Sequence, residues 1–382
     1  MYQLKTFDTE QFLAQYWQKK PFVIKQGFSD FIDPLDEHDL AGLSEEENVD
    51  SRIVSYKDEQ WQVTHGPYTD INQHCVGAWS LLVQAVDQYI PEADQLMAAF
   101  DFIPNWRRDD LMVSYSNQSA GVGPHKDQYD VFIIQGKGSR RWQVGLPGEH
   151  TQLRPHGDLS QIAEFPTVID QILVPGDIIY IPAGHPHNGV ALEDCLNYSV
   201  GFRAPSQQEM LSSFADHAID HNLFNRRYTD PNLQLRQFSG EINQQELGQF
   251  KAFLRDSLDS QDFDHWLASF MSRNKDESQQ HLEDLDQYSA EHVTALLNEG
   301  QSLSRMPAVK AVYVQSSLSA PSLFSFYINA QEYSISADLA EPVKHFLAAP
   351  VLYQLPHLNS QQRALFSQLL SQLINDGHWL FD

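Results

Sequence analysis

Two segments of this 382-residue chain place metal-ligating side chains where they could meet. In the first, the turn residues Gly121-Val122-Gly123-Pro124 give way to His125-Lys126-Asp127 at the edge of an apolar run that continues to Gln135. Residues two apart in a strand face the same side, so His125 and Asp127 can converge on one ion. An imidazole nitrogen and a carboxylate oxygen are two corners of the three-ligand face that suits non-haem iron(II). The second segment runs from Pro175-Gly176-Asp177 to Val190. There a Pro-Gly-Asp turn launches the buried strand Ile178–Ile181, and the Pro182-Ala183-Gly184 turn then presents His185 and His187. His187 opens the next extended stretch and is the expected third ligand. His185 precedes a proline inside the turn and is expected at the surface or behind the ligands.

A His-x-Asp pair alone is weak. With 16 histidines about one such pair arises by chance, and His156-Gly157-Asp158 is a second copy. It lies among Arg154, Pro155 and Gly157 with no strand pattern around it, and is expected to be a loop. Zinc also accepts His and Asp, so the metal's identity needs a further feature. Arg140 supplies one. After the Gly136-Lys137-Gly138 turn, alternation puts Arg140 on one face with Trp142 and Val144, and Arg141 on the other with Gln143. A buried guanidinium needs an anion, and a bidentate carboxylate is its best partner. The distal carboxylate of 2-oxoglutarate fits; an internal Asp or Glu is the competing reading. Ser114 and Ser116 share a strand face, and either could bond that carboxylate or serve only the strand. Asn197, on the strand after His187, could reach the metal-bound end of the co-substrate or be an ordinary buried amide.

The elements that must position these groups are β from about Leu111 to Phe202. The expected runs are Leu111–Ser116, Tyr129–Gln135, Arg140–Val144, Gln171–Val174, Ile178–Ile181 and Leu196–Phe202, punctuated as in a barrel or sandwich. Before them the pattern predicts a helix over Asp8–Gln18 capped by Asp8 or Thr9, and strands over Arg52–Tyr56 and Gln60–Thr64. A second helix is expected over Ala78–Tyr89, ended by Pro91. After Pro205 the texture turns helical, at Gln207–His221 and Gln244–Leu258, with a boundary near Gln261. A helix at Ala290–Leu297, a hairpin Leu323–Ile328 to Glu332–Ser336 and helices near Val343–Leu347 and Gln361–Ile374 suggest a winged-helix-like module.

Composition bounds the partners. Hydrophobic residues at 42% and charged residues at 20% are ordinary for globular chains. No apolar run approaches membrane-spanning length, no signal-peptide layout opens the chain, and two cysteines make no disulfide framework. A cytoplasmic setting is expected. The 25 basic and 51 acidic residues leave a charge of −26, which repels nucleic acid and draws cationic partners, although acidity also serves solubility. Residues 206–382 hold 11 Lys or Arg against 22 Asp or Glu, so the winged-helix-like module is not expected to bind DNA.

The layout Pro124-His125-x-Asp127, Arg140, Pro175-Gly176-Asp177, Pro182-x-Gly184-x-x-His187 resembles the JmjC/cupin oxygenases. Asp109-Asp110-Leu111-Met112 and the run Asp127–Gly136 are similar to bacterial ribosomal oxygenases that hydroxylate an arginine of the sixteenth large-subunit ribosomal protein. The resemblance implies an α+β chain with a double-stranded β-helix oxygenase domain over 1–205, a helical dimerisation segment over 206–260 and a winged-helix-like domain over 261–382. It implies iron(II) on His125, Asp127 and His187, and 2-oxoglutarate on Arg140, Ser116 and, less specifically, Asn197. Dioxygen is the second co-substrate, and the products are succinate, carbon dioxide and a hydroxylated side chain. A homodimer and a basic ribosomal protein substrate are likewise implied. The loop Asn117-Gln118-Ser119-Ala120 offers no carboxylate, so recognition of a target arginine would fall to Tyr129, Asp130 or backbone carbonyls. Histidyl hydroxylation, lysine demethylation and a non-catalytic cupin-like binding role are the alternatives.

Overall fold

The computed structural model of the chain describes residues 2–5, 7–28, 30–274, 287–315 and 322–382. Helix α1 (Thr9–Gln15) starts where Asp8 accepts the Gln11 N–H at 2.9 Å. It stops short of Gln18, whose main-chain N–H donates to the Tyr180 hydroxyl at 2.8 Å. Among the described residues fourteen strands follow up to Phe202, with α2 (Glu37–Leu43) and α3 (Pro91–Met97) among them. They are β1 (Phe22–Ile24), β2 (Ser51–Lys57), β3 (Gln60–His65), β4 (Ala78–Val83), β5 (Arg108–Ser116), β6 (His125–Lys126) and β7 (Asp130–Gln135). The rest are β8 (Arg140–Gly145), β9 (Gln152–His156), β10 (Leu159–Ile162), β11 (Thr167–Leu173), β12 (Ile178–Ile181), β13 (Pro186–Ala191) and β14 (Cys195–Phe202). An eight-stranded sheet has the order β1-β12-β7-β14-β5-β4-β2-β3, and a four-stranded sheet the order β11-β8-β13-β6. Every pairing is antiparallel.

The core explains the strand patterns. One apolar cluster joins Phe12, Phe100, Phe132, Tyr180, Tyr198 and Phe202 behind the large sheet. A second gathers Val131, Ile133, Trp142, Val144, Ile179 and Ile181 around the smaller sheet. Strands β7 and β12 serve both clusters and are therefore apolar along both faces.

Two local expectations are overturned. Ala78–Tyr89 is not a helix: Ala78–Val83 is β4, hydrogen-bonded between β2 and β5, and only Val86–Gln88 makes a 3₁₀ turn. An interior strand is covered on both faces, so its unbroken apolar run imitates a buried helix. Pro91 does not end a helix but begins α3 at its first position, where its missing N–H costs nothing. The second concerns the surroundings of His156-Gly157-Asp158: Gly157 and Asp158 form a turn, as expected of a loop, but strands β9 and β10 flank it where no strand pattern was expected.

The described chain packs as two compact units. Met1–Ala204, Asn274–Val309 and His345–Asp382 form one, and Pro205–Arg273 with Lys310–Lys344 the other. Late in the first unit the short strand Leu303–Arg305 pairs on either side with Val351–Leu352 and Trp379–Phe381. The second unit holds α4 (Gln207–Asp220), α5 (Gln244–Leu258), α6 (Gln261–Ser272) and the hairpin Leu323–Ile328/Gln331–Ser336. Its core is Phe214, Trp266, Phe270, Met271, Val312 and Tyr327. The sequence pattern missed α6, whose apolar face supplies Trp266, Phe270 and Met271 of that core. Among the described residues, no helix is long and apolar enough to cross a membrane.

Candidate metal centre

Ladder register brings the two histidines together. His125 on β6 pairs directly with His187 on β13, and their ring centroids lie 4.2 Å apart. Asp127 falls just past the end of β6, so strand alternation alone does not place it. Its carbonyl accepts the Gly184 N–H at 2.7 Å, which ties it to the Pro182–Gly184 turn. Gly184 has φ +75°, a conformation L side chains resist. His125 Nε2 stands 3.8 Å from Asp127 Oδ1, and His187 Nε2 stands 3.4 Å from Asp127 Oδ2. All three ligand atoms lie within 4.8 Å of one another, and among the described residues no other such group of three exists.

The tautomers suit a metal. His125 Nδ1 is 2.9 Å from the Gly123 carbonyl and His187 Nδ1 is 3.0 Å from the His185 carbonyl. A protonated Nδ1 donating to each carbonyl leaves the Nε2 lone pair directed at the cluster. Burial, with the nearby His187, brings the His125 pKa down to about 4, so its neutral form prevails. Burial alone would raise Asp127, but its closeness to the His187 and His125 rings and to the Arg52 guanidinium brings it down to about 2. His185 is buried rather than at the surface, and its carbonyl orients His187.

The cluster opens into a cavity between the two sheets, and Arg140 lies in its wall. Arg140, Trp142 and Val144 point inward while Arg141 faces solvent against Asp170. Arg140 donates to the Ser116 hydroxyl, which is 2.7 Å from that of Ser80. Burial lowers the Arg140 pKa, its Nε–H has no acceptor, and among the described residues no carboxylate pairs with it. The internal-acid reading therefore fails, and a buried guanidinium awaits an external anion. Ser114 and Asn197 line the same cavity. Asn197 Nδ2 donates to Gln135 Oε1 at 2.8 Å, so this amide is partly spent within the sheet.

The mouth corrects one expectation and adds a residue. Asp130 is fully buried and does not line the cavity; Tyr180 and Gln18 donate to it at 2.6 and 2.8 Å, with Arg107 at 3.5 Å. It is not available to a substrate. Tyr129 does line the mouth and is 40% exposed. Burial, then the charges of Asp127, Asp110 and Asp109, raise its phenol pKa, so it stays an O–H donor. Asp110 was not singled out from the sequence, yet it lines the cavity from β5 beside Gly201. Its alternation with Met112, Ser114 and Ser116 on one strand face was the available signal.

Residues 95–210 match the JmjC domain family and residues 254–380 the ROXA-like winged helix. Over 389 aligned positions the chain is 38% identical to the ribosomal protein uL16 3-hydroxylase of Escherichia coli, covering 100% of this chain and 99% of that one. A solved structure of YcfD, a ribosomal oxygenase from Escherichia coli in complex with cobalt and 2-oxoglutarate, superposes with a TM-score of 0.88 at 36% identity, covering 100% of each chain. A bifunctional lysine-specific demethylase and histidyl-hydroxylase, NO66 of Drosophila persimilis, is 24% identical over 52% of this chain and 30% of its own length.

Proposed function

The chain belongs to the JmjC family of ribosomal oxygenases, and from that membership we propose its reaction: hydroxylation of an arginine side chain of ribosomal protein uL16. It is a 2-oxoglutarate-dependent ribosomal protein hydroxylase. His125, Asp127 and His187 hold iron(II) on three sites, and Arg140 with Ser116 anchors the far carboxylate of 2-oxoglutarate. The observation that carries this is the pairing, across one cavity, of an open His-Asp-His cluster with a buried guanidinium lacking a carboxylate partner. Iron(II) with 2-oxoglutarate and dioxygen couples oxidative decarboxylation, to succinate and carbon dioxide, to insertion of one oxygen atom into a C–H bond. The chain's own residues bind, orient and exclude water. The Nδ1 contacts of both histidines fix the metal-facing nitrogens, and Val131, Ile133 and Trp142 supply the apolar part of the cavity wall. Asn197 is a weaker candidate for the co-substrate, since Gln135 already occupies its amide.

An arginine target is supported by the acidic mouth. Asp110 presents a carboxylate and Tyr129 a phenol oxygen, both able to accept, where a guanidinium, which only donates, would arrive. A neutral imidazole would gain less there, which separates this reading from the histidyl hydroxylase. A uL16 substrate also implies a cytoplasmic site of action.

Dimerisation of this chain is part of the proposal, with functional segments over 1–205, 206–260 and 261–382. Helix α5 buries no residue within its own chain, although Leu247, Phe250, Leu254 and Leu258 form one apolar stripe. Leu233, Leu235, Phe238 and Ile242 before it are also exposed. So large an apolar surface needs a cover, and a second copy is the occupant proposed. Phe250→Glu with Leu254→Glu is expected to give monomers by light scattering; an unchanged mass would reject this interface.

For the reaction, purified protein with iron(II), 2-oxoglutarate and recombinant uL16 is expected to add one oxygen atom to a uL16 arginine, read by mass spectrometry. Unmodified uL16 would overturn the substrate. An Asp127→Ala variant with full turnover would overturn the metal site.

A further inference from the structure

Arg52, on β2, lines the same cavity together with Gln84 and the cluster residues His125 and Asp127, and nothing in the reaction above uses it. Its place follows from register. Ser116 of β5 faces Ser80 of β4, Ser80 faces Val54 of β2, and Arg52 lies two residues from Val54 on the same face, opposite Leu82. Arg52 is therefore displaced by two strand spacings and two residues along the strand, roughly 12 Å in all, from the serine that supports Arg140. It occupies the flank beside the metal cluster, where its charge is felt at His125, Asp127 and Tyr129. Leu82 faces Ser114, so Asp110 lies four residues further along β5 than the level of Arg52. The cavity lining thus carries the Arg52 guanidinium at the level of Leu82 and the Asp110 carboxylate further along β5, with Asp127 and, on the β9–β10 hairpin, Asp158 also in the lining.

A guanidinium stays charged at any working pH. Arg52 makes no ion pair with a carboxylate among the described residues, and its buried Nε–H has no acceptor. Leaving such a buried donor unmatched is costly, which points to an acceptor that arrives with the substrate. A cation beside a site that takes a cationic side chain also constrains how that side chain enters. Its charged end is driven away from Arg52, while a neutral acceptor such as a peptide carbonyl is attracted.

We propose that Arg52 is a specificity-determining residue for the peptide substrate, donating to a main-chain carbonyl beside the target residue and turning the target's cationic end towards Asp110 and Tyr129. A carbon close to the target's backbone then lies over the metal cluster. The inference rests on the hydroxylase reading above.

The test compares wild type, Arg52→Lys and Arg52→Gln on a synthetic uL16 peptide containing the target arginine. Calorimetry measures 2-oxoglutarate binding to the manganese(II)-loaded proteins in parallel. Arg52→Gln is expected to raise the peptide KM about tenfold or more, the scale of a lost charged hydrogen bond. It is also expected to lower the amount of hydroxylated peptide per succinate formed, and Arg52→Lys should recover part of both losses. The 2-oxoglutarate affinity of both variants stays near wild type, which also shows that they fold. Unchanged peptide KM and unchanged coupling in Arg52→Gln would overturn the proposal. So would a parallel loss of 2-oxoglutarate affinity, which would move Arg52 to the co-substrate. Wild-type protein that left the peptide untouched would overturn the hydroxylase reading, and this inference with it.

Discussion

His125-Lys126-Asp127 and His156-Gly157-Asp158 carry the same two ligating groups at the same spacing, yet only one is joined by a third ligand. The first copy lies at a strand end whose neighbour in the sheet, β13, carries His187 opposite His125. The second lies at a hairpin tip, where Asp158 is 3.6 Å from His156 Nδ1 and 3.4 Å from His65 Nε2, with its side chain 52% exposed. In that copy the histidine nitrogen nearest the carboxylate also accepts the Asp158 N–H at 3.2 Å, so its lone pair is engaged locally. At His125 and His187 the Nδ1 atoms face carbonyls instead, and the Nε2 atoms stay free for an ion. The lesson is that ligand types at the right spacing make a metal site only when the backbone around them settles the tautomer and a distant strand closes the set.

Matched substitutions in the two copies would break the comparison most directly. Asp127→Ala should lower hydroxylation by more than about 100-fold, beyond the range for outer contacts. Asp158→Ala should leave metal stoichiometry, measured by elemental analysis, unchanged. Equal losses in both would show that the hairpin tip belongs to the site. Next in size is the pair on β8. Arg140→Met should weaken 2-oxoglutarate binding about 10- to 100-fold in calorimetry, while Arg141→Met, on the solvent face, should leave it unaltered.

A smaller effect concerns protons. The folded pKa of His125, about 4, lies below the ordinary value near 6.5. As the pH falls below about 6.5 the unfolded chain takes up this proton first, so stability of the metal-free protein should decline between about pH 6.5 and 4. His378, brought to about 4 by burial, acts in the same direction. Urea titrations of wild type and His125→Asn across that window check this; identical slopes would remove His125 from the account. The smallest effect separates two glycines. Gly184→Ala meets no atom within 4 Å but must hold φ +75°, and should destabilise by about 1 kcal/mol. Gly157→Ala meets no atom and carries no such conformation, so it should be neutral or slightly stabilising in urea melts.

Alternation along single strands made much of the site legible. Arg140 inward with Trp142 and Arg141 outward follows from period two alone, and the turn residues around Gly184 marked where His187 begins. What the sequence hid depended on pairing between distant strands. Asp127 lies beyond its strand and is placed by a distant turn, through the Gly184 N–H. Ala78–Val83 imitated a helix because it is covered on both faces. Asp130 looked like a substrate contact because its role depends on Gln18 and Arg107, over 20 residues away on either count. Arg52 gave no local signal, and Asp110 only its alternation with Met112, Ser114 and Ser116, since their shared cavity exists only once β2, β4 and β5 lie side by side.

The buried Asp130 has a practical consequence for dissection of the protein. Its carboxylate is completed by Gln18, just after the first helix, and by Tyr180, whose hydroxyl also receives the Gln18 main-chain N–H. Asp130 opens β7 only three residues after Asp127. A fragment cut to begin at Arg108 would keep every proposed ligand yet leave this carboxylate short of donors in an apolar interior. The first twenty residues are thus part of what keeps the ligand loop in register, and the smallest working oxygenase begins near the start of the chain rather than at the barrel.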